Sequence, residues 1–481
     1  MIVSPLGGLA FALLSATPAE ATPPSFASSS ENYSTNGVAS PLGFLTGISR
    51  SQYMLGDMWG LRPWLSKYGM SLSILETSEV LGNVTGGVHQ GFEYDGLTQA
   101  ILQMDTGRAF GWYGGTFNVS GLQIHGRNLS ADNLDTLQTA SGIEADRSTR
   151  LWELWYQQKF LEEDRMDVKI GQQSLDQEFM VSQNALLFVN TMFGWPMLPS
   201  ADLPGGGPAY PLSAPGLRIR IRPINSLTFL AGVFSGSPVS NSNGDPQKIN
   251  ASGTSFPLSK GALFITELQY SYPSLGTMVS ADQSAALSGV YKLGFWYDTE
   301  NFADQEFDNT GLSLANPDST GIPESHQGDY AFYAVMDQLV WTDSNDEDAD
   351  RTIGVFARAM GTPEDNRNLI DFSLNAGLNF HEPIPHRGDD TFGIGMGYAK
   401  VSDRAADLAR DTGIFTGTPT PVRSGETFVE ATYQYELTPW CQLQPDFQYV
   451  FNVGGGVPNP NAPGQHVKNE AVLGLRINLL F

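Results

Sequence analysis

The sequence predicts an all-β protein, a 16-stranded antiparallel transmembrane β-barrel with a short N-terminal helix and an inward-folded constriction loop. Three observations carry that reading. Apolar and polar residues alternate over segments of about ten residues, the length a tilted strand needs to cross a bilayer. Beyond the N-terminus no run of roughly 18 apolar residues appears, so no spanning helix is expected. The links between alternating segments sort by length, most of the long ones after odd strands and the short ones after even strands, as in a bacterial barrel with both ends on one side.

Taken from the N-terminus, residues 2–19 carry no charge, Ile2 to Leu14 form an apolar run, and Ala19-Glu20-Ala21 offers a small-residue cleavage site. Residues 1–21 therefore read as a secretory signal peptide, although no Lys or Arg precedes the apolar run. Residues 22–56 read as a disordered or linker segment and 57–481 as one barrel domain, opened by a short helix over 57–68. The strands are expected at 69–81, 87–104, 110–126, 149–160, 164–172, 216–222, 226–234, 262–272, 287–298, 329–341, 351–361, 369–381, 390–401, 425–437, 440–451 and 468–481. The clearest alternates Ile370, Phe372, Leu374, Ala376, Leu378 and Phe380 with Asp371, Ser373, Asn375, Gly377 and Asn379. The last places Leu473, Leu475, Ile477, Leu479 and Phe481 on one face.

Long links fall at 127–148, 173–215, 235–261, 299–328, 402–424 and 452–467, each after an odd strand. Short ones, such as Pro223-Ile224-Asn225 and Thr438-Pro439, follow even strands. Links 82–86 and 362–368 are short for their side, and 273–286 is long. The 173–215 link is too long for a simple loop. It carries Leu186-Leu187-Phe188-Val189 and Phe193-Gly194-Trp195-Pro196, which an exposed polar loop would not. It is expected to fold inward and narrow the channel. The chain ends on an aromatic, Phe481, the kind of terminal strand that the outer-membrane assembly machinery reads.

With 26 Lys+Arg against 51 Asp+Glu the formal net charge is −25, which excludes the basic stripe of a nucleic-acid partner and a polybasic patch for anionic lipid. Cys441 is the only cysteine, so neither a disulfide nor a multi-cysteine metal site is possible within the chain. Its neighbours Trp440, Leu443 and Phe447 mark a packing or membrane position. The acidic stretch 343–350 lacks the central Gly and terminal Glu of a calcium loop. Gly205-Gly206-Gly207 is followed by no Lys-Ser/Thr and is not a phosphate loop. The six histidines are scattered without zinc spacing, and His125 near Ser120 is the nearest approach to a hydrolase pair. No catalytic residue, cofactor or metal site is expected.

Several blocks resemble the carbohydrate-selective porins of the OprB family: Gly60-Leu61-Arg62-Pro63-Trp64-Leu65 with Tyr68-Gly69, Lys169-Ile170-Gly171-Gln172, Asp176-Gln177-Glu178-Phe179, Leu437-Thr438-Pro439-Trp440, Leu443-Gln444-Pro445-Asp446-Phe447-Gln448-Tyr449-Val450 and Ala471-Val472-Leu473-Gly474-Leu475-Arg476. The resemblance runs from about residue 57 to the end. It implies a porin that admits mono- and disaccharides such as glucose, set in outer-membrane lipid as a monomer or homotrimer.

Strand parity then nominates lumenal side chains. Leu217, Ile219 and Ile221 alternate with Arg218, Arg220 and Arg222. An Arg facing lipid costs about 2–4 kcal/mol at the midplane, so three would rival the stability of a typical fold and must face the lumen. There they can donate paired hydrogen bonds to sugar hydroxyls or carboxylates, or pair with acids and fill the wall. Glu93, Asp95, Glu153 and Asp167 are the expected opposing acids, Lys169, Arg358 and Asp371 also point to the inferred lumen, and Trp296 is the expected aromatic platform for a sugar. The leading reading is passive diffusion of sugars. A general or anion-preferring porin, an outer-membrane lipase and a structural barrel are the alternatives.

Overall fold

The structure, a computed structural model, describes residues 52–240, 244–272, 287–343, 351–385, 387, 390–418 and 420–481. The expected signal peptide, the linker up to residue 51, link 273–286 and most of the acidic turn lie outside them. Sixteen strands form one closed barrel: β1 Met70–Thr85, β2 Gly91–Asp105, β3 Gly115–Gly126, β4 Ser148–Phe160, β5 Met166–Gln173, β6 Ala214–Ile224, β7 Leu227–Ser235, β8 Ala262–Tyr272, β9 Gly289–Asp308, β10 Pro323–Thr342, β11 Thr352–Gly361, β12 Ile370–His381, β13 Thr391–Val401, β14 Gly425–Thr438, β15 Cys441–Phe451 and β16 Glu470–Leu480. Every neighbour is antiparallel and consecutive. The ring closes where β1 pairs β16, from Leu75↔Leu480 to Thr85↔Ala471. Closure satisfies both edges of every strand, the condition for backbone polar groups to lie in hydrocarbon.

The period of 2 puts opposite chemistry on the two faces. Leu293 is 64% exposed, and Phe264, Leu268, Phe332, Ile394 and Leu475 join it on the outside. Glu267, Asp298, Asp329, Arg358, Glu430 and Gln448 are buried on the inside.

Before the first strand, helix α1 (Leu61–Lys67) lies at the end of the barrel where β1 begins and β16 ends. Arg62 donates to Leu72 O at 2.7 Å and also to Phe481 O, tying the helix to the first and last strands. Strands β9 and β10 run further than expected, to Asp308 and from Pro323. The apolar–polar alternation of the sequence ends near Asp298, but the paired hairpin continues past it. The 402–424 link holds a helix, α2 (Asp403–Thr416), whose N-cap Ser402 accepts a hydrogen bond from Ala405 N.

The candidate channel site

Two links enter the barrel. From Met180 to Gly194 the backbone of the β5–β6 link is held by lumenal side chains of seven strands between β8 and β15, Asn379 of β12 among them at 2.6 Å from Asn184 O. Glu267 accepts from Met180 N at 2.8 Å, and Lys292 donates to Val181 O at 2.7 Å. Asp337 accepts from Ser182 Oγ, Gln183 N and Asn184 N. Arg358 donates to Met180 O, Met192 O, Phe193 O and Gly194 O. Glu430 accepts from Val189 N at 2.6 Å and Asn190 N at 3.0 Å, and Gln444 donates to Leu187 O at 2.7 Å. Each anchor supplies the partner that a buried peptide group needs.

Aromatic packing seats the same segment. Phe188 stacks on Phe193 with centroids 4.4 Å apart, and Phe193 meets Phe356 and Phe428 edge-on. Gly393 and Gly395 of β13 make the room. A Cβ on either would lie 2.6 Å from Leu187 or Phe193. Period-2 glycine on an inward face was the sequence signal for a segment lying there.

The β3–β4 link enters as well, which the sequence reading did not anticipate. Glu426 accepts from Leu137 N and Gln138 N, Gln448 donates to Ala140 O, and Arg476 donates to Ser141 Oγ at 3.0 Å. The two links are hydrogen-bonded to each other, Gly142 N to Val189 O at 2.8 Å and Thr191 N to Thr139 O at 3.1 Å.

Between these links and the wall of β15, β16, β1, β2 and β4 lies a cavity of about 160 Å³. Neutral polar groups line it, among them Thr77, Gln99, Gln442 and Asn478, with Arg476 and Asp176. The aromatics Trp152, Trp195 and Tyr210 line it too. Trp152 and Tyr210 meet edge-on at 6.3 Å. The Gln99 amide nitrogen and the Trp152 indole nitrogen are buried and have no acceptor among the described residues.

The expected site residues fall largely elsewhere. Arg218 and Arg220 face inward as expected, but their acids stand beside them and not across the pore. Register sets Asp167 opposite Arg220 and Lys169 opposite Arg218 on the neighbouring strand. Arg218, 1% exposed, pairs with Asp167 and with Glu178 at 2.6 Å, and Arg220 reaches Asp167 at 2.5 Å. Burial alone would push Glu178 up, but Arg218 and Lys169 outweigh it and hold this carboxyl well below the usual range. The basic ladder facing an acidic wall is therefore corrected to a neutralised cluster on one wall. Arg222 donates to Glu163 O and Asp164 O at the turn. Lys169 lies over the Trp155 ring at 4.3 Å. Glu153 accepts from Ser174 N at 3.1 Å at the root of the inserted link, and Glu93 lies 3.7 Å from Arg127 at the rim.

Trp296 is not a platform. It is 1% exposed, packed in the main apolar cluster with the inserted segment. Asp371 sits in a bulge between Ile370 and Phe372 at the strand's end, paired with Lys400 at 2.5 Å, away from the cavity. Arg358 is lumenal, but its guanidinium is taken by loop carbonyls. Ser120 and His125 are five apart on one strand and point to opposite faces, so they form no pair.

A closed barrel, apolar outside and polar inside, with links drawn into its lumen is the architecture of an outer-membrane diffusion porin. The sequence pattern of the family described as carbohydrate-selective porin, OprB family, matches residues 89–481. The chain is 25% identical over 454 residues to Porin B of Pseudomonas aeruginosa, covering 90% of this chain and 92% of that one. It is 23% identical over 429 residues to the putative porin QuiX of Acinetobacter baylyi, covering 84% and 89%. The high-pH structure of Pseudomonas putida OprB superposes with a TM-score of 0.75 at 24% identity, over 90% of this chain and 99% of that one.

The chain belongs to the OprB family of carbohydrate-selective porins. It is an outer-membrane channel and not an enzyme. The blocks that carried the resemblance hold the architecture: Gln444 and Gln448 tie the inserted links, Arg62 the chain ends, and Gln172 donates to Trp152 O and Gly253 O.

Proposed function

We propose that mono- and disaccharides, glucose among them, cross through the cavity between the inserted links and the β16–β1–β2 wall, and that the β5–β6 link is the constriction. The observation that carries this reading is the pair of donors without an acceptor among the described residues, Gln99 and Trp152, in a cavity lined by the rings of Trp152, Phe188, Trp195 and Tyr210. A buried donor without an acceptor costs about 1–3 kcal/mol. A sugar hydroxyl removes that cost, and a ring face covers the sugar's C–H side. Anion preference is less well supported, because the guanidiniums of Arg218 and Arg220 are already neutralised by Asp167 and Glu178. Outer-membrane lipid surrounds the apolar girdle, and the assembly machinery takes up the last strand with Phe481.

Liposome swelling tests it. Glucose should permeate faster than an uncharged polyol of equal size, and Trp152→Ala with Gln99→Leu should abolish the difference. Equal rates for all solutes in the wild type would demote the protein to a general porin.

A further inference from the structure

The extended β9–β10 hairpin carries a side-chain cluster outside the cavity lining. Its ladder is regular up to Asp298↔Asp329 and then slips twice, between Gln327 and Asp329 and between Pro323 and Ser325. At the second slip, Asp304 to Phe307 on one strand and Glu324 on the other have no partner in the ladder. Side chains span the strands there instead. The Asp304 and Glu324 carboxylates and the His326 imidazole converge, with one ligand atom from each within 4.8 Å of the other two. Asp304 and His326 are 22 residues apart in the chain, so no zinc spacing shows in the sequence.

Asp304 is the fixed member. It is 5% exposed, and its Oδ1 accepts from Glu306 N at 2.8 Å and Phe307 N at 2.7 Å. Those two bonds aim Oδ2 at His326 Nε2, 2.8 Å away. His326 is half-buried and Glu324 exposed, so the cluster opens to solvent on the Glu324 side. Arg404 of helix α2 is held by Glu306 at 2.8 Å and lies over the Phe307 ring, so its guanidinium is committed beside the cluster and not in it.

Two carboxylates and one imidazole make a mixed nitrogen and oxygen donor set. Calcium and magnesium take shells of oxygen alone, whereas imidazole suits zinc and its neighbours in the first transition row. Zinc bonds of about 2.0–2.2 Å put adjacent ligand atoms of a tetrahedral ion about 3.4 Å apart. Asp304 and His326 already stand close to that spacing, and rotation of the exposed Glu324 brings in the third ligand. Solvent fills the fourth position. We propose that Asp304, Glu324 and His326 bind one divalent ion of the zinc class, which clamps the two strands of the hairpin where their backbone ladder lapses. The site is independent of the sugar path.

Two experiments decide it, with zinc alone as the probe. The folded barrel in detergent, stripped of metal, is titrated with zinc against a chromophoric chelator. The wild type should hold one ion per chain in an excess of calcium and magnesium. Glu324→Gln, a change at an exposed position, and His326→Gln should each keep the heat-dependent gel shift of a folded barrel and weaken binding by about tenfold or more, since even an outer-shell change costs a metal site about that much. Zinc should also slow proteinase K cleavage within 309–322 in the wild type and not in Glu324→Gln. A wild type that holds no stoichiometric zinc, or unchanged affinity in either folded variant, overturns the proposal. The second experiment needs no variant. X-ray absorption of the wild type with one equivalent of zinc should show a single imidazole among oxygen donors. A shell with no imidazole, or with more than one, places the ion elsewhere on this acidic surface and overturns the proposal equally.

Discussion

Two sides of the lumen use the same alternation for opposite purposes. Along β8 to β15, inward polar side chains end on the backbone of the inserted links. Asp337, Arg358 and Glu430 have their hydrogen-bonding atoms on peptide groups between residues 180 and 194. Along β16, β1 and β2, inward polar side chains such as Gln99 and Asn478 end on the cavity. The inserted backbone is held mainly by charged side chains, whereas the cavity is lined by neutral amides together with Arg476, itself fixed by Glu79, and Asp176. The difference teaches that a charged lumenal residue in this fold is first a candidate anchor. The contrast is physical. A buried charge needs fixed partners and so suits a static contact, whereas an amide or indole exchanges partners at small cost.

The contrast can be broken most severely at Arg358. Arg358→Ala strips four loop carbonyls of their donor. Hydrogen bonds to a charged group are each worth about 1.5–3 kcal/mol, so a loss of the order of 3–5 kcal/mol is expected after relaxation. Single-channel recording should show a wider, noisier pore that no longer prefers sugars, in a barrel that still assembles. An unchanged conductance would mean that the link does not constrict the channel.

Glu430→Gln should act in the same direction and less strongly. It exchanges an acceptor for a partial donor beside Val189 N and Asn190 N, at about 1–3 kcal/mol. Protease nicking within 174–213 of the reconstituted protein should rise.

The β3–β4 link gives a pH test of comparable or smaller size. Burial pushes Glu144 up to about 8, against the backbone N–H of Ser130 that it accepts. The ionised form is therefore disfavoured in the fold. Stability should be highest below the unfolded value near 4.5 and fall as pH climbs through about 8. Glu144→Gln should flatten melting temperature over that window, a change of about 2 kcal/mol allowing 1.4 per unit of pH and partial relaxation. A wild type that instead melts higher at pH 9 than at pH 6 would contradict it.

The smallest effect belongs to Arg220→Gln. Arg220 is 21% exposed at its side chain, and Arg218 still neutralises Asp167, so stability should change by about 0–1 kcal/mol. Sugar flux should be nearly unaltered. The reversal potential in a salt gradient should move slightly toward cations. A large loss of glucose flux would restore the arginine ladder as the solute site and collapse the distinction between the two sides.

The strands were legible because alternation is local. Ile370 to Phe380 states its own two faces, and the hydrocarbon decides which is outside. The extended β9–β10 hairpin was not legible, because beyond the membrane nothing enforces apolar alternation on Asn301 to Asp308. The arginine ladder was half legible. Parity put Arg218 inside, but its partner Glu178 lies in a link and 40 residues away.

The sequence by itself determined the barrel, its strand number and its family, since each depends on period 2, link length and short motifs. Only the tertiary structure decided which lumenal side chains hold the inserted links and which face the cavity. That choice depends on contacts such as Asp337 with Ser182 and Glu430 with Val189, 155 and 241 residues apart. No local pattern encodes the path of an inserted link. It follows from which inward groups, brought together by closure of the ring, best satisfy its peptide groups and make room for its aromatic rings.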